Sequence, residues 1–75
     1  MKALVLDEET IRTIREIYVK GTRIMLKRSE APQAPPIGTK GTVTGFDDAG
    51  SIMVDWDDGS RSNVTPFIDE CWIVL

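Results

Sequence analysis

Hydrophobic and polar residues follow two different periods along this chain, and the change comes at Gly21. Before it, Ile11, Ile14 and Tyr18 recur at the three- and four-residue spacing that gathers apolar side chains on one face of a helix. No apolar stretch approaches the ~20 residues that a bilayer-spanning helix needs. The spacing predicts a single amphipathic helix over about residues 8–20.

The residues at both ends of this helix support the prediction. Asp7 is suited to cap the N-terminus, and Glu8 and Glu9 place negative charge where the helix dipole favours it. Lys20 followed by Gly21 is typical of a helix end, because glycine readily adopts the left-handed conformation found there.

From Thr22 onward the period is two, which is the period of strands with one buried face. Ile24 and Leu26 alternate with polar or flexible neighbours, and Ile52, Val54 and Trp56 share one face of a later segment. Four further strands are predicted, at about residues 41–46, 51–56, 60–65 and 71–75.

The connections between these strands differ in kind. Asp47–Gly50 and Asp57–Ser60 are short and rich in aspartate and glycine, which predicts hairpins closed by primed turns, with Gly59 at positive φ. The connection over 29–38 contains Pro32, Pro35 and Pro36, so it is neither helix nor central strand. A loop of this length is often functional.

Together these elements predict one domain over residues 1–75 that is mainly β (α+β). We expect a small five-stranded SH3-like barrel over about 22–75, preceded by one N-terminal α-helix. Gly41 and Gly45 in the second strand indicate places where the sheet bends or its strands approach closely.

The composition excludes several kinds of catalytic and metal site. The chain has no histidine and a single cysteine, Cys71, which excludes the usual zinc sites and nucleophile–histidine pairs. The adjacent carboxylates of Asp47-Asp48 and Asp57-Asp58 fit turn chemistry better than a metal site. We therefore expect a non-enzymatic protein without metal or cofactor, located in the cytoplasm and not in a membrane.

Charge is distributed unevenly along the sequence. The net charge is −3, but residues 1–30 carry seven basic and five acidic side chains, whereas residues 31–75 carry two basic and seven acidic ones. Such asymmetry can mark an interaction face, and it also fits a salt-bridged helix beside aspartate-rich turns.

Several segments resemble a family of short bacterial proteins, the domain-of-unknown-function family 4314, common in Gram-positive bacteria and on their phages and conjugative elements. The resemblance is carried by residues 8–18, 21–26, 34–45 and 56–60. The later half is more loosely similar to SH3-like substrate-recognition modules of large ubiquitin ligases. The segment 66–71 departs from the family's usual ending. The resemblance implies the fold and carries no activity.

Two functions remain open at this stage. The first is a protein-interaction module, including an accessory or host-inhibitor protein of a mobile element, with an unknown protein partner. Its candidate contact residues lie in and around the proline-rich loop and in the last strand: Arg28, Pro32, Pro35, Pro36, Lys40 and Trp72. The second is a nucleic-acid-binding barrel that uses the basic first strand. Its candidate contacts are Lys20, Arg23, Lys27 and Arg28. Trp72 is either exposed or packed under the helix.

Overall fold

The computed structural model describes residues 8–75, which form one helix and five strands. Their bounds are α1 Glu8–Ile17, β1 Arg23–Arg28, β2 Lys40–Phe46, β3 Ile52–Trp56, β4 Arg61–Val64 and β5 Glu70–Ile73. The fold is mainly β, small and barrel-like, which confirms the predicted fold class. The predicted cap Asp7 lies outside the described residues.

The five strands form one antiparallel sheet in the order β4-β3-β2-β1-β5. β1 lies between β2 and β5, with Ile24 opposite Gly41 on one side and opposite Ile73 on the other. A bulge interrupts the β1–β5 register between Leu26 and Arg28. β4 and β5 are the two edges of the sheet.

The core lies on one face of this sheet, as the alternation predicts. Each of the first four strands contributes at least one side chain that is almost fully buried. These core residues are Ile24, Leu26, Val43, Ile52, Val54, Trp56 and Val64. Gly41 completes the face, because a Cβ there would lie 2.7 Å from Trp56 Cε3 and 2.9 Å from the Asp55 carbonyl oxygen. The predicted close approach of strands at Gly41 is confirmed.

The helix is three residues shorter than predicted. Tyr18 N–H still donates to the Ile14 carbonyl (2.8 Å), but Gly21 N–H already donates to the Val43 carbonyl (2.8 Å). The chain must therefore leave the helix to reach β2. Gly21, at φ 95°, is the third residue of a turn closed by Thr22 N–H and the Val19 carbonyl, not a helix cap.

The two aspartate-rich hairpins share one turn geometry, and it is not the primed turn that we expected. In each, a glycine N–H bonds back three residues: Gly59 to Trp56 (3.0 Å) and Gly50 to Asp47 (3.1 Å). Both glycines have positive φ, whereas Asp58 does not. The turns are therefore ordinary β-turns followed by a left-handed glycine, the arrangement of three-residue hairpin loops.

The proline-rich loop is tied back to the sheet. Gly38 N–H donates to the Leu26 carbonyl (2.8 Å), and Leu26 N–H donates to the Thr39 carbonyl (2.9 Å). Ala34 packs against the core, and Pro35 is buried. The loop is thus part of the packed domain.

Candidate interaction surface

One end of the outer sheet face brings together residues from three strands. Met25 lies opposite Lys40 of β2 and opposite Trp72 of β5, so the three share the face turned away from the core. Lys27, two residues beyond Met25, also reaches this face. We call Met25, Lys27, Lys40 and Trp72 the Trp72 face.

Trp72 is the exposed centre of this face. Its side chain is 54% exposed, which resolves the alternative left open by the sequence in favour of exposure. The Lys27 ammonium lies 4.3 Å from the centroid of the indole ring. A cation at this distance is attracted by the ring's negative face, so the pair holds a positive charge beside a large apolar surface.

Ion pairs occupy the part of the sheet that adjoins the Trp72 face at Arg23 and extends to β4. Arg23 donates to both carboxylate oxygens of Asp57 (2.7 and 2.5 Å) and to Thr42 Oγ1 (2.9 Å). Arg61 contacts Asp55 at 3.2 Å. Hydrogen bonding to Arg23 holds the pKa of Asp57 below its usual value, and the charges of Arg23 and Lys40 act in the same direction.

The remaining predicted contact residues lie at different depths. Arg28 is exposed and lies opposite Glu70, at the β1–β5 bulge. Pro32 and Pro36 are exposed on the loop, whereas the buried Pro35 supports it from within. Lys20 is exposed in the turn that follows the helix. The structure therefore unites Lys40, Lys27 and Trp72 and leaves Pro35 without access to a partner.

A second feature lies on the inner side of β5. A cavity of about 240 Å³ opens between the ends of the two edge strands, with Val64 of β4 and Cys71 of β5 in its wall. Ile14, Tyr18 and Phe67 complete much of its apolar lining. We call this cavity the seam pocket, since no strand pairing joins β4 to β5 within residues 8–75.

Two titratable side chains in the seam pocket are shifted toward their neutral forms. Burial raises the pKa of the Cys71 thiol, against a smaller opposing effect of its hydrogen bond with Tyr18. Burial also raises the pKa of the Tyr18 hydroxyl, and Cys71 adds to that shift. Cys71 is thus a half-buried side chain that packs against the core.

The residue that sequence reasoning missed is Asp69, which is only 8% exposed. Its carboxylate accepts hydrogen bonds from the backbone N–H of Glu30 (2.8 Å) and of Thr65 (3.0 Å). It thereby joins the start of the proline-rich loop to the β4–β5 connection. An aspartate directly before the last strand was the available signal, but the partner 39 positions away is not visible in a sequence.

The β4–β5 connection also places an aromatic side chain at the surface. Phe67 has φ 70° and is 64% exposed. A bulky residue with positive φ is unusual and is held there by its surroundings. Asp69 N–H donates to the Thr65 carbonyl (2.8 Å), which closes the turn around Phe67.

No group of three or more potential metal ligands occurs among residues 8–75. Within the same part of the chain, no helix has the length and hydropathy to span a membrane.

Comparison with known proteins connects this architecture to a family. Neither the curated proteins nor the solved structures contain a match to the chain. A family model described as a domain of unknown function, DUF4314, matches residues 7–74. That match includes all five strands and the helix, so the protein belongs to the DUF4314 family.

Proposed function

We propose that this protein is a non-enzymatic protein-binding module whose contact surface is the Trp72 face. The observation that carries the proposal is the half-exposed Trp72 ring with the Lys27 ammonium 4.3 Å from its centroid. Tryptophan is enriched among the residues that dominate interface energetics, and it contributes most when a partner removes it from water. Here that contact area lies on a regular strand, which requires little ordering on binding.

Charge favours an acidic partner at this face. Lys27 lies over the exposed ring, and Arg28 is exposed at the next position of β1, opposite Glu70. The carboxylates of Asp55 and Asp57, by contrast, already contact Arg61 and Arg23. A partner that presents carboxylates next to an apolar side chain would complement both features.

Nucleic acid is the second candidate, and the exposed tryptophan beside basic residues is what favours it. Two observations weigh against it. The whole chain carries a net charge of −3, whereas nucleic-acid-binding domains usually have a clearly basic surface. Arg23, one of the predicted phosphate contacts, is already bonded to Asp57.

The biological role of the protein is part of the same proposal. The resemblance to proteins of phages and conjugative elements supports an accessory or host-inhibitor role in the cytoplasm of a bacterial host. The looser likeness to substrate-recognition modules of ubiquitin ligases supports recognition of a protein segment.

The test compares matched variants in affinity capture from bacterial host lysate, followed by titration of the purified partner. Trp72→Ala should weaken binding at least tenfold, since a central tryptophan commonly contributes more than ~2 kcal/mol. Met53→Ala is the control, because Met53 is also exposed but lies on β3.

Two charge-reversal variants make the test more specific. Lys27→Glu should weaken partner binding, whereas Arg61→Glu, the same charge change near the other edge, should have little effect. Equal losses for both variants would indicate a general electrostatic attraction and contradict the proposal. Tight, salt-sensitive binding of an oligonucleotide that Lys27→Glu abolishes would favour the nucleic-acid function instead.

A further inference from the structure

We propose that the free edge of β5 accepts an extended peptide segment of the partner, in which acidic and apolar residues alternate. This inference rests on the proposed function and names the partner's chemistry. Strand addition to an exposed sheet edge is a known mode of peptide recognition, in which backbone hydrogen bonds supply affinity and alternate side chains supply specificity.

The backbone hydrogen bonds between β1 and β5 show which groups of β5 point outward. Val74 N–H donates to the Arg23 carbonyl (2.9 Å), and Trp72 lies opposite Met25. Because hydrogen-bonded and non-hydrogen-bonded pairs alternate in antiparallel ladders, Cys71 and Ile73 turn their N–H and C=O groups away from β1. Within residues 8–75 these groups have no hydrogen-bond partner.

Within residues 8–75, the regular part of this edge carries little protection against pairing. Natural edge strands are commonly blocked by proline, by lysine or by a covering element. The β5 sequence Glu-Cys-Trp-Ile contains neither residue, and β1 is its only strand partner in the described part of the chain. The strand does begin with the charged Glu70, where a bulge interrupts the pairing with β1. The edge that can accept a strand is therefore the regular segment from Cys71 to Ile73.

The two faces of β5 define what an added strand must carry. A residue beside Cys71 would place its side chain on the inner face, toward the apolar seam pocket of about 240 Å³. That volume is below the ~300 Å³ at which pockets for small molecules begin, so it suits one or two amino-acid side chains.

A residue beside Trp72 would lie on the outer face instead. The Lys27 side chain reaches across from β1 to place its ammonium over the Trp72 ring. A carboxylate on the added strand would meet that charge. The alternation of apolar and acidic residues follows from the period of two.

The experiment titrates the full chain, labelled with ¹⁵N, with the peptide acetyl-Thr-Val-Glu-Val-Glu-Val-Thr-amide. The control peptide has lysine in place of both glutamates, and a ten-residue oligothymidine is the nucleic-acid probe. We expect binding at least tenfold tighter for the glutamate peptide than for the control. We also expect at least tenfold slower amide exchange at Cys71 and Ile73, with little change at Trp72.

The variant Ile73→Pro removes an N–H that the sheet does not use and that the added strand requires. It should retain the folded spectrum and lose peptide binding. Unchanged peptide affinity in a folded Ile73→Pro protein would overturn the inference.

Other outcomes separate this inference from the proposed function. Chemical shift changes confined to Lys27 and Trp72, without protection of Cys71 and Ile73, would overturn strand addition and leave the Trp72 face in place. Absence of peptide binding would also overturn strand addition, whereas the proposed function fails only if Trp72→Ala leaves partner affinity unchanged. Tighter binding of oligothymidine, or protection that grows with protein concentration alone, would assign the edge to nucleic acid or to a second copy.

Discussion

The two ends of the sheet have the same antiparallel geometry and opposite characters. At the β3–β4 end, Asp55 contacts Arg61, Asp57 contacts Arg23 of β1, and the chain turns through compact loops closed by glycine. At the β5 end, Trp72 is exposed and Lys27 lies against an aromatic ring, and the outward backbone groups of Cys71 and Ile73 have no partner within residues 8–75. The comparison separates residues that maintain the fold from residues available to a partner.

The connections reflect the same division. In the two hairpins, one carboxylate oxygen of Asp47 and one of Asp58 bond within the turn: Asp47 Oδ1 accepts from Ala49 and Ser51, and Asp58 Oδ1 accepts from Ser60. Longer-range bonds add to them, from Asn63 to Asp47 Oδ2 and from Arg23 to Asp57. The β4–β5 connection depends instead on the long-range contacts of Asp69. Substitutions can test this contrast, because the hairpins, the core and the buried Asp69 should respond in stability, whereas the exposed Trp72 should respond in binding.

The largest loss of stability is expected from Gly41→Ala. The added Cβ would lie under 3 Å from two core side chains and from the Asp55 backbone, so β2 and β3 must separate. Overpacking of this kind costs about 3 kcal/mol. Chemical denaturation measures it, and a loss below ~1 kcal/mol would show that the two strands separate easily.

The next effect is expected from Asp69→Asn, at about 2 kcal/mol. The carboxylate accepts one backbone hydrogen bond on each oxygen. In asparagine one of these oxygens is replaced by an NH₂ group, which would face a backbone N–H, so that one hydrogen bond is lost. Asp48→Asn is the control, since Asp48 is exposed in the β2–β3 turn. Equal unfolding midpoints for the two variants would mean that the bonds of Asp69 to Glu30 and Thr65 contribute little to stability.

A smaller effect, about 1 kcal/mol, is expected from Gly59→Ala. Gly59 has φ 91° and open space around its Cα, so the cost is only that of placing a side chain in the left-handed region. Gly59→Asn should recover part of the loss, because asparagine tolerates this conformation. Equal thermal stability of the Gly59→Ala and wild-type proteins would contradict the observed turn.

Local patterns made much of this fold predictable. The alternation around Val54 and the glycines of the two hairpins depend on neighbours within a few positions. The helix end was wrong by three residues, because the pairing of Gly21 with Val43 is a tertiary contact. The positive φ of Gly59 was expected, but the type of turn was not. A primed turn needs Asp58 at positive φ as well, and the same Asp-Gly sequence fits either turn.

The candidate surface was predictable only in part, for the same physical reason. Lys40 and Trp72 were singled out separately, but their meeting across Met25 depends on the register of three strands. The stacking of Lys27 on Trp72 depends additionally on a side-chain conformation. Nothing in the sequence distinguishes Pro35 from Pro32 and Pro36. Only the packing of the loop buries Pro35 and leaves the other two exposed.

The smallest effect on stability is expected at the β5 end, where Trp72→Ala should change the free energy of unfolding by less than about 1 kcal/mol. The ring is already half in water, so its removal forfeits little burial beyond the exposed contact with Lys27. Thermal and urea unfolding of this variant should be compared with partner affinity in the same buffer. A loss of more than ~2 kcal/mol would make Trp72 a structural residue, and the two ends of the sheet would then no longer differ in kind.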